Sequence, residues 1–385
     1  MEVAKSVALI EPVGGHGGMD YYDLGLCQGL LADGWEVGWY TCSQTAEPTL
    51  KTVGFYPVYK GIWGKANKYL RAARYLTGSL SALSKASSSG EKVVHFHFFH
   101  GAAEELMLLA LAKLYGRKIV VTVHDVESFA HTGAPASSMV SRIYGLADKF
   151  IVHNEVSRRE LIQALHADPA KITVIPHGNY LSSIRGVPSA AEAKETLGIE
   201  PAQKVVLFFG QIKEVKGLDL LFEAMPTVAA AVPEVVLVVA GRPWKNDFAQ
   251  YQEMIDRLGL NDRVRLHVRF IPDEEVSTFY AAADVVVLPY RRIYQSGVVL
   301  LAMSYGKAVL VSDLPGMTEI VTDQVNGYSF TSGDSHQLAK GLISALQNDE
   351  ARRTAAQNGL EYVRTRHDWN AIGRETGDVY QALLG

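Results

Sequence analysis

Residues 291–299 combine two basic side chains with the predicted start of an apolar helix. Arg291 and Arg292 follow the apolar run "DVVVLPY", and no further charge occurs before Lys307. A helix without a polar face is buried, and the N–H groups of its first turn attract an anion. The backbone groups that would face the anion belong to Ser296, Gly297, Val298 and Val299. The pattern predicts an anion site, although a core helix with a small N-cap residue would look similar.

A second basic segment, "FFGQIKEVKGLD", also follows an apolar run. Lys213 and Lys216 lie on a turn between Gly210 and Gly217. Two ammonium groups beside such a turn suit a diphosphate, which needs positive charge and room. Two solvated lysines on an ordinary turn are the alternative interpretation.

The first half of the chain has a glycine-rich segment, "EPVGGHGGMD", with glycines at positions 14, 15, 17 and 18. Such a loop lets the backbone approach a ligand closely. The glycines do not follow the G-x-G-x-x-G spacing, so a dinucleotide site is not predicted. A tight strand-to-helix turn would need the same residue types.

Histidines end two further apolar runs. His124 and Asp125 close "VVTVHD", whereas His95 and His97 share one face of the predicted strand in "VVHFHFFHG" and His100 follows it. A histidine can exchange hydrogen bonds with a substrate hydroxyl, or it can cap a loop. No cysteine or carboxylate with ligand spacing lies nearby, so a metal is not expected. We expect His97 or His100 to face a ligand.

Short β-branched runs alternate with segments of helical spacing along the whole chain. This alternation predicts parallel sheets with helices on both faces. Both halves begin with an apolar strand, a glycine-bearing loop and a helix, which predicts two doubly wound domains joined around residues 178–193. Ligands of such folds bind beyond the carboxyl ends of the strands, and we expect them in a cleft between the domains.

Composition narrows the class of protein. The chain has 385 residues, enough for two domains, and its formal net charge of −4 provides no field for nucleic acid. Its two cysteines, Cys27 and Cys42, lack metal-ligand spacing and favour a reducing compartment. Neither a signal peptide nor a bilayer-spanning segment is predicted. We therefore expect a cytosolic enzyme or binding protein.

The order of these motifs resembles that of the retaining glycosyltransferases of family 4. The motifs are "GGHGG", "VTVHD", "VIPHG", "FFGQIKEVKG", "LVVAG" and the whole of residues 264–328. The resemblance implies the GT-B fold, an α/β fold of two Rossmann-like, doubly wound domains facing across an interdomain cleft. It implies an N-terminal acceptor domain over residues 1–185, completed by a C-terminal helix over residues 366–385 that crosses back. Residues 186–365 would form the nucleotide-sugar donor domain.

Position by position, the resemblance implies site residues in both domains. His124 would contact the donor sugar and Lys216 the diphosphate, and together with Gln295 they are the expected catalytic residues. The acceptor-side candidates are Asp20, His97 and Asp125. The donor-side candidates are Gly17, Gly18, Gln211, Lys216, Arg269, Phe270, Ile271, Arg292, Ser296, Gly297, Val298 and Val299.

The E-x7-E signature of the family is absent. Its first glutamate would fall at Ile293 or Tyr294, and its second would fall at Leu301 or Ala302. A subgroup of the family carries "QSG" here instead. Glu319, at a predicted loop-to-helix junction, is a nearby acid that could replace one of them.

Other side chains are expected to compensate for the departures. Gln211 stands where the family has an arginine, and Lys213 or Arg292 could supply the missing charge. Gln295 and Ser296 are expected to bind the sugar hydroxyls in place of the glutamates.

The resemblance implies a metal-independent hexosyltransferase without a cofactor. Its donor would be a nucleotide sugar, with UDP-glucose as the first candidate. Its acceptor would be a glycan or a lipid-linked sugar in exopolysaccharide or cell-surface polysaccharide synthesis. A sugar-nucleotide epimerase of the same fold and a non-catalytic nucleotide-sugar-binding protein remain alternatives. A NAD-dependent oxidoreductase would require the glycine spacing that this chain lacks.

Residues 60–75 hint at the acceptor side. The chain has no acidic residue from position 51 to position 90. Within residues 60–75, the basic residues are Lys60, Lys65, Lys68, Arg71 and Arg74, and the aromatic residues include Trp63, Tyr69 and Tyr75. The pattern predicts contact with an anionic membrane surface at the inner face of the membrane, or with an anionic acceptor, while a solvated helix is the alternative.

Overall fold

A computed structural model of the protein describes residues 5–15, 18–50, 52–64, 66–98, 103–124, 142, 145–165, 167–244, 247–293 and 295–385. The chain forms two compact units. The first contains Met1–Gly178 and His367–Gly385, and the second contains Asn179–Arg366.

The described residues of the first unit form a seven-stranded parallel sheet with flanking helices. The strands are β1 (Ser6–Glu11), β2 (Glu36–Cys42), β3 (Gly54–Tyr59), β4 (Val93–Phe98), β5 (Lys118–Val123), β6 (Lys149–Val152) and β7 (Ile172–Val174). The helices include α1 (Met19–Ala32), α2 (Lys68–Ser88), α3 (Ala103–Leu114), α4 (Glu155–Leu165) and the C-terminal α13 (Trp369–Leu384). The strand order is β3-β2-β1-β4-β5-β6-β7.

The described residues of the second unit form a six-stranded parallel sheet. Its strands are β8 (Lys204–Phe209), β9 (Val235–Ala240), β10 (Val264–His267), β11 (Val285–Leu288), β12 (Ala308–Ser312) and β13 (Tyr328–Phe330). Its helices include α5 (Ala190–Thr196), α6 (Leu218–Ala231), α7 (Ala249–Arg257), α8 (Asp273–Ala282), α9 (Gly297–Ser304), α10 (Pro315–Thr318), α11 (Ser335–Gln347) and α12 (Asp349–Arg366). The strand order is β10-β9-β8-β11-β12-β13.

The central strands are largely apolar because helices cover both faces of each sheet. In β8, Val206 and Phe208 belong to the core on one face, and Val205 and Leu207 belong to the core on the other. Burial of an aliphatic side chain of this size contributes roughly 1.5–3 kcal/mol, so such runs specify central strands. The structure confirms the predicted pair of Rossmann-like, doubly wound units.

The first unit ends at Gly178, before the predicted boundary at residue 185. The Asn179 side-chain amide donates to the Val363 carbonyl oxygen at 3.0 Å. The Tyr180 N–H donates to the Ser304 hydroxyl at 3.1 Å. These two hydrogen bonds attach the segment that follows Gly178 to the second unit.

The C-terminal helix α13 returns to the first unit and packs on α1. Its first residue, Trp369, is 6% exposed. A Cβ on Gly25 or on Gly178 would lie 2.1 or 2.2 Å from the indole ring, and one on Gly29 would lie 1.9 Å from the Trp369 carbonyl oxygen. The absence of side chains at these positions makes room for the indole and lets the two helices approach closely.

None of the helices in the described part of the chain is long and apolar enough to cross a membrane. Cys27 and Cys42 are free, buried thiols, in accord with two packed cysteines rather than a disulfide.

Candidate functional site

The strand order places the ligand-binding edge of each unit. It reverses between β1 and β4 in the first sheet and between β8 and β11 in the second. The loops that leave two such neighbouring strands run to opposite faces of the sheet, and the crevice between them is the usual ligand site. In the second unit these loops are residues 210–217 and 289–296.

The two loops of the second unit contact each other at Gly217. This residue has a φ of 67°, and a Cβ on it would lie 1.9 Å from the Pro289 carbonyl oxygen. The Arg291 N–H also donates to the Val215 carbonyl oxygen at 2.9 Å. A glycine is therefore required at position 217 for the loops to lie together.

Lys216 ends the 3₁₀ turn Glu214–Lys216, and its ammonium group lies over an aromatic ring. The Nζ atom is 3.6 Å from the ring centroid of Tyr290, which is 2% exposed. Lys213 is held in a similar way, with its Nζ atom 5.0 Å from the ring of Trp244. The loop after β8 thus carries two positive charges whose positions are restrained by cation–π contacts.

The first arginine of the basic pair after β11 is paired with an acid. The Arg291 guanidinium donates to both carboxylate oxygens of Asp219, at 2.7 and 2.6 Å, and these bonds raise the pKa of Arg291. The expectation that both arginines offer their charge to an anion therefore needs correction for Arg291. Arg292 lies exposed beside it.

Helix α9 begins at Gly297, directly after a buried serine. Ser296 is 3% exposed, and its Oγ atom has no hydrogen-bond partner among the residues that the structure describes. A Cβ on Gly210, at the end of β8, would lie 3.6 Å from Val298, so the loop after β8 runs beside the helix start. A buried hydroxyl of this kind, next to first-turn N–H groups, provides hydrogen bonds for a phosphate.

The positions of the missing glutamates are apolar. Ala302 is fully buried, and Leu301 and Ile293 pack against the same hydrophobic core. Tyr294 lies outside the described residues. Glu319 follows α10 and is exposed.

An aromatic ring stands exposed on the loop after β10. Phe270 is 65% exposed, and the Arg242 guanidinium lies 6.0 Å from its ring centroid. Arg269 is paired with Glu275, whereas Ile271 is buried. The exposed ring offers a flat surface on which a planar base could stack.

In the first unit, a buried carboxyl group holds the glycine-rich loop. Glu11 ends β1, and its two carboxylate oxygens accept hydrogen bonds from the N–H groups of Val13 at 2.7 Å and Gly14 at 2.5 Å. Burial, and then the neighbouring Asp23 carboxylate, raise the pKa of Glu11 well above its usual range. Gly18 then caps α1, and Asp20 lies in its first turn.

His97 is buried against an acid rather than exposed to a ligand. It is 2% exposed, and its Nδ1 atom lies 3.1 Å from the Asp23 Oδ1 atom. Burial lowers the pKa of His97 to about 3 and raises the pKa of Asp23 well above its usual range. The expected ligand-facing role of His97 is corrected to a contact inside the core.

A cluster of histidines surrounds the ring of Tyr22 at the carboxyl edge of the first sheet. We call this the histidine cluster. The ring centroid of Tyr22 lies 4.9 to 5.4 Å from those of His97, His124, His153, His177 and Trp369. Burial is the largest cause of a lowered pKa in each of these histidines, which are therefore neutral at pH 7.

Comparison with known proteins gives the chain its family. Residues 16–180 match the family described as Glycosyltransferase Family 4, and residues 189–362 match the Glycosyl transferases group 1. The phosphatidyl-myo-inositol mannosyltransferase of Mycobacterium leprae is 30% identical over 76% of this chain and 73% of its own. The chain belongs to glycosyltransferase family 4. A second relative of this glycosyltransferase, the D-inositol 3-phosphate glycosyltransferase of Thermobispora bispora, is 26% identical over 96% of this chain and 91% of its own.

Solved structures support the GT-B fold of this glycosyltransferase. The sucrose-phosphate synthase of Thermosynechococcus elongatus superposes with a TM-score of 0.77 at 20% identity, over 99% of both chains. The HepE protein of Anabaena, in complex with UDP, superposes with a TM-score of 0.74 at 20% identity, over 98% of this chain and 100% of its own. At 20% identity, both similarities are evidence for the fold alone.

The structure brings together the donor-side candidates of the glycosyltransferase that lie on the loops after β8 and β11. Lys216 and Ser296 lie on these neighbouring loops, while Phe270 lies on the loop after β10. Among the described residues, no group of three His, Cys, Asp or Glu side chains is arranged to hold a metal ion. The candidates Gly17, Asp125 and His100 lie outside the described residues.

Sequence reasoning missed three members of the histidine cluster. Tyr22 lies on α1, His153 follows β6 directly, and His177 lies shortly after β7. The two histidines end apolar runs in the same way as His124, and this was the available signal. The central position of Tyr22 had no local signal, because it depends on how α1 packs across the sheet.

Proposed function

We propose that this protein is a retaining, metal-independent glycosyltransferase that transfers a hexose from a UDP-sugar, with UDP-glucose as the first candidate. The acceptor would be a glycan or a lipid-linked sugar in cell-surface polysaccharide synthesis. The observation that carries the proposal is that Lys216 and the start of α9 follow the neighbouring strands β8 and β11, and that Ser296 there is buried without a partner among the described residues. This arrangement suits the diphosphate of a nucleotide sugar.

The chemistry follows from the charge that develops during transfer. When the bond between the sugar carbon and the phosphate oxygen breaks, its electron pair moves to the nucleoside diphosphate. Lys216 and the first-turn N–H groups of α9 would stabilise this charge, which is the role a metal ion plays elsewhere. The acceptor oxygen would attack from the same face, and its proton would pass to the leaving phosphate.

The choice of UDP rests on the fold and on the loop after β10. HepE, which has the same fold, binds UDP and UDP-glucose. In this chain the exposed ring of Phe270 would stack on the base, while Arg242 supports the ring. The two relatives named above are a D-inositol 3-phosphate glycosyltransferase and a phosphatidyl-myo-inositol mannosyltransferase, and their names support a hydroxyl-bearing acceptor for this chain.

Binding and turnover test the proposal directly. In a thermal-shift panel of UDP, GDP, ADP, NAD and their sugar conjugates, UDP and UDP-glucose should raise Tm. A ligand at about 100 times its Kd adds about 2.7 kcal/mol of stability. Release of UDP from UDP-glucose then separates an enzyme from a non-catalytic binding protein, the alternative that the apolar residues at positions 301 and 302 favour. The absence of any nucleotide-dependent shift would reject both.

We predict that Gln295→Ala weakens sugar binding without weakening UDP binding. Gln295 is half-buried next to Ser296, where it would bond to the sugar hydroxyls in place of a glutamate. Loss of one or two such bonds should raise KM for UDP-glucose about 3- to 10-fold. The Kd of UDP alone, measured by calorimetry, should stay constant. Gln250→Ala, an exposed change on α7, is the control, and an unchanged KM in Gln295→Ala would remove this assignment.

The acceptor side would involve residues 60–75, although the structure modifies their expected role. Arg71 donates to the Ile62 carbonyl oxygen and Arg74 to the Gly61 carbonyl oxygen, both at 2.9 Å, so these two arginines hold the preceding loop. Lys60 and Lys68 remain exposed. Tyr69 is 75% exposed and Trp63 is 36% exposed. We propose that residues 60–75 contact an anionic surface at the cytoplasmic face of the membrane.

We predict that the double variant Lys60→Ala/Lys68→Ala sediments less with anionic vesicles. Each lysine near a charged surface contributes about 1 kcal/mol, so binding should fall about fivefold for each lysine removed. Vesicles of a zwitterionic lipid and the variant Lys340→Ala, an exposed change on α11, serve as controls. Equal sedimentation of the wild type and the double variant would exclude these lysines from any membrane contact.

A further inference from the structure

The hydrogen bonds of the histidine cluster define which ring nitrogens carry protons. The Nδ1 atom of His153 lies 2.9 Å from the Ile175 carbonyl oxygen, and its Nε2 atom lies 3.4 Å from the Nδ1 atom of His124. A carbonyl oxygen can only accept, so the His153 Nδ1 atom must be the one that carries a proton.

The tautomer of His153 determines which nitrogen of the next ring, His124, carries a proton. Burial lowers the pKa of His153 to about 4, so its ring is neutral at pH 7 and its Nε2 atom carries a lone pair. The His124 Nδ1–H group therefore donates to the His153 Nε2 atom. Because burial also lowers the pKa of His124 well below its usual range, this ring is neutral as well. Its Nε2 atom is consequently the acceptor nitrogen.

We propose that His153 is a positioning residue that fixes His124 in the Nδ1–H tautomer and presents its Nε2 atom as a hydrogen-bond acceptor. The Ile175 carbonyl oxygen begins this chain of hydrogen bonds, because it sets the tautomer of His153 and, through His153, that of His124. The ring planes of His124 and His153 are tilted by 47° with their centroids 5.1 Å apart, which restrains the orientation of His124.

The tautomer decides the direction of a hydrogen bond between His124 and a ligand hydroxyl. An Nε2 atom with a lone pair accepts a hydrogen bond from a sugar hydroxyl, whereas an Nε2–H group would donate to the hydroxyl oxygen and leave the hydroxyl proton for another acceptor. This consequence rests on the proposed function, in which His124 contacts the donor sugar. The tautomer itself is independent of any activity.

The first measurement is spectroscopic and uses the full chain labelled with ¹⁵N-histidine. Long-range ¹H–¹⁵N correlation spectra distinguish protonated from unprotonated ring nitrogens, and the variant His124→Gln identifies the signals of His124. We expect the Nδ1–H tautomer in the wild type. We also expect it in His153→Gln, whose amide oxygen can accept the same hydrogen bond, and we expect it to be lost in His153→Phe.

The second measurement is the steady-state hydrolysis of UDP-glucose. His153→Phe should lower kcat by up to about 100-fold, because a misplaced functional group can cost that much, while His153→Gln should recover most of this loss. His177→Phe is the matched control. His177 is also buried against Tyr22 and His153, but its Nδ1–H group donates to the carbonyl oxygen of Gly178.

Each outcome decides the proposal. A His124 ring that keeps the Nδ1–H tautomer in His153→Phe overturns it, as does an equal fall of kcat in His153→Phe and His177→Phe. Loss of the tautomer together with a selective fall of kcat supports it. A wild-type protein whose Tm does not respond to any nucleotide contradicts the proposed function, and the spectra then decide by themselves whether His153 controls the tautomer.

Discussion

Lys216→Ala is expected to lower kcat with UDP-glucose about 100- to 1,000-fold, the range found when one donor to a developing negative charge is removed. The Lys216 ammonium lies over the ring of Tyr290, on a loop that Gly217 keeps against the Pro289 carbonyl oxygen. The charge is thus in place before the reaction begins. Because negative charge on the phosphate grows during bond cleavage, kcat should fall more than KM rises. Steady-state release of UDP measures both.

The control for this prediction is Lys340→Ala, which makes the same change at an exposed position in the same unit. It should keep the kcat of the wild type. Tm of both variants should agree with that of the wild type. The described contact of the Lys216 ammonium is with the Tyr290 ring at the edge of the core, and its loss leaves the core packing in place. A Lys216→Ala variant with normal turnover would show that the leaving group is stabilised elsewhere.

Trp369→Ala is expected to destabilise the first unit by about 3–5 kcal/mol, the usual cost of deleting a buried tryptophan. The indole lies where Gly25 and Gly178 have no side chains, and it also contacts the ring of Tyr22 at 5.2 Å. The cavity would be lined on several sides by backbone, which cannot collapse to fill it. For a unit of this size, Tm of the first unit should fall by about 6–20 °C, measured by calorimetry.

Two variants bracket this result. Trp244→Ala removes an indole that is 46% exposed and should change Tm by little. Trp369→Phe keeps a ring in the space and should give an intermediate Tm. If Trp369→Ala unfolded at the temperature of the wild type, the return of α13 to the first unit would not contribute to stability.

Much of the candidate site was visible in local sequence. The glycine-bearing turns, the basic residues after β8 and the small residues before α9 could be found because each follows an apolar run. The carboxyl ends of parallel strands share one edge, so residues that end such runs converge there. Lys216 and Ser296 were found in this way, and the structure places them on loops after neighbouring strands.

Charge assignments were less predictable than positions. Arg291 stands in a sequence pattern that suggests a free charge, yet its guanidinium is paired with Asp219. Arg71 and Arg74 suggested a free basic face, although both bond to backbone of the preceding loop. A pattern of charges gives no information about partners that are distant along the chain.

The sequence by itself determined the doubly wound class of both units, the starts of the helices at the strand ends and the family. These features depend on periodicity and on residue types within a few positions, which act before any tertiary contact forms. Only the tertiary structure decided that His97 is buried with Asp23, that α1 places Tyr22 among four histidines, and that Ile175 can set the tautomer of His124 through His153. Such contacts join residues from different strands and helices, and their geometry exists only once the sheet and its helices have packed.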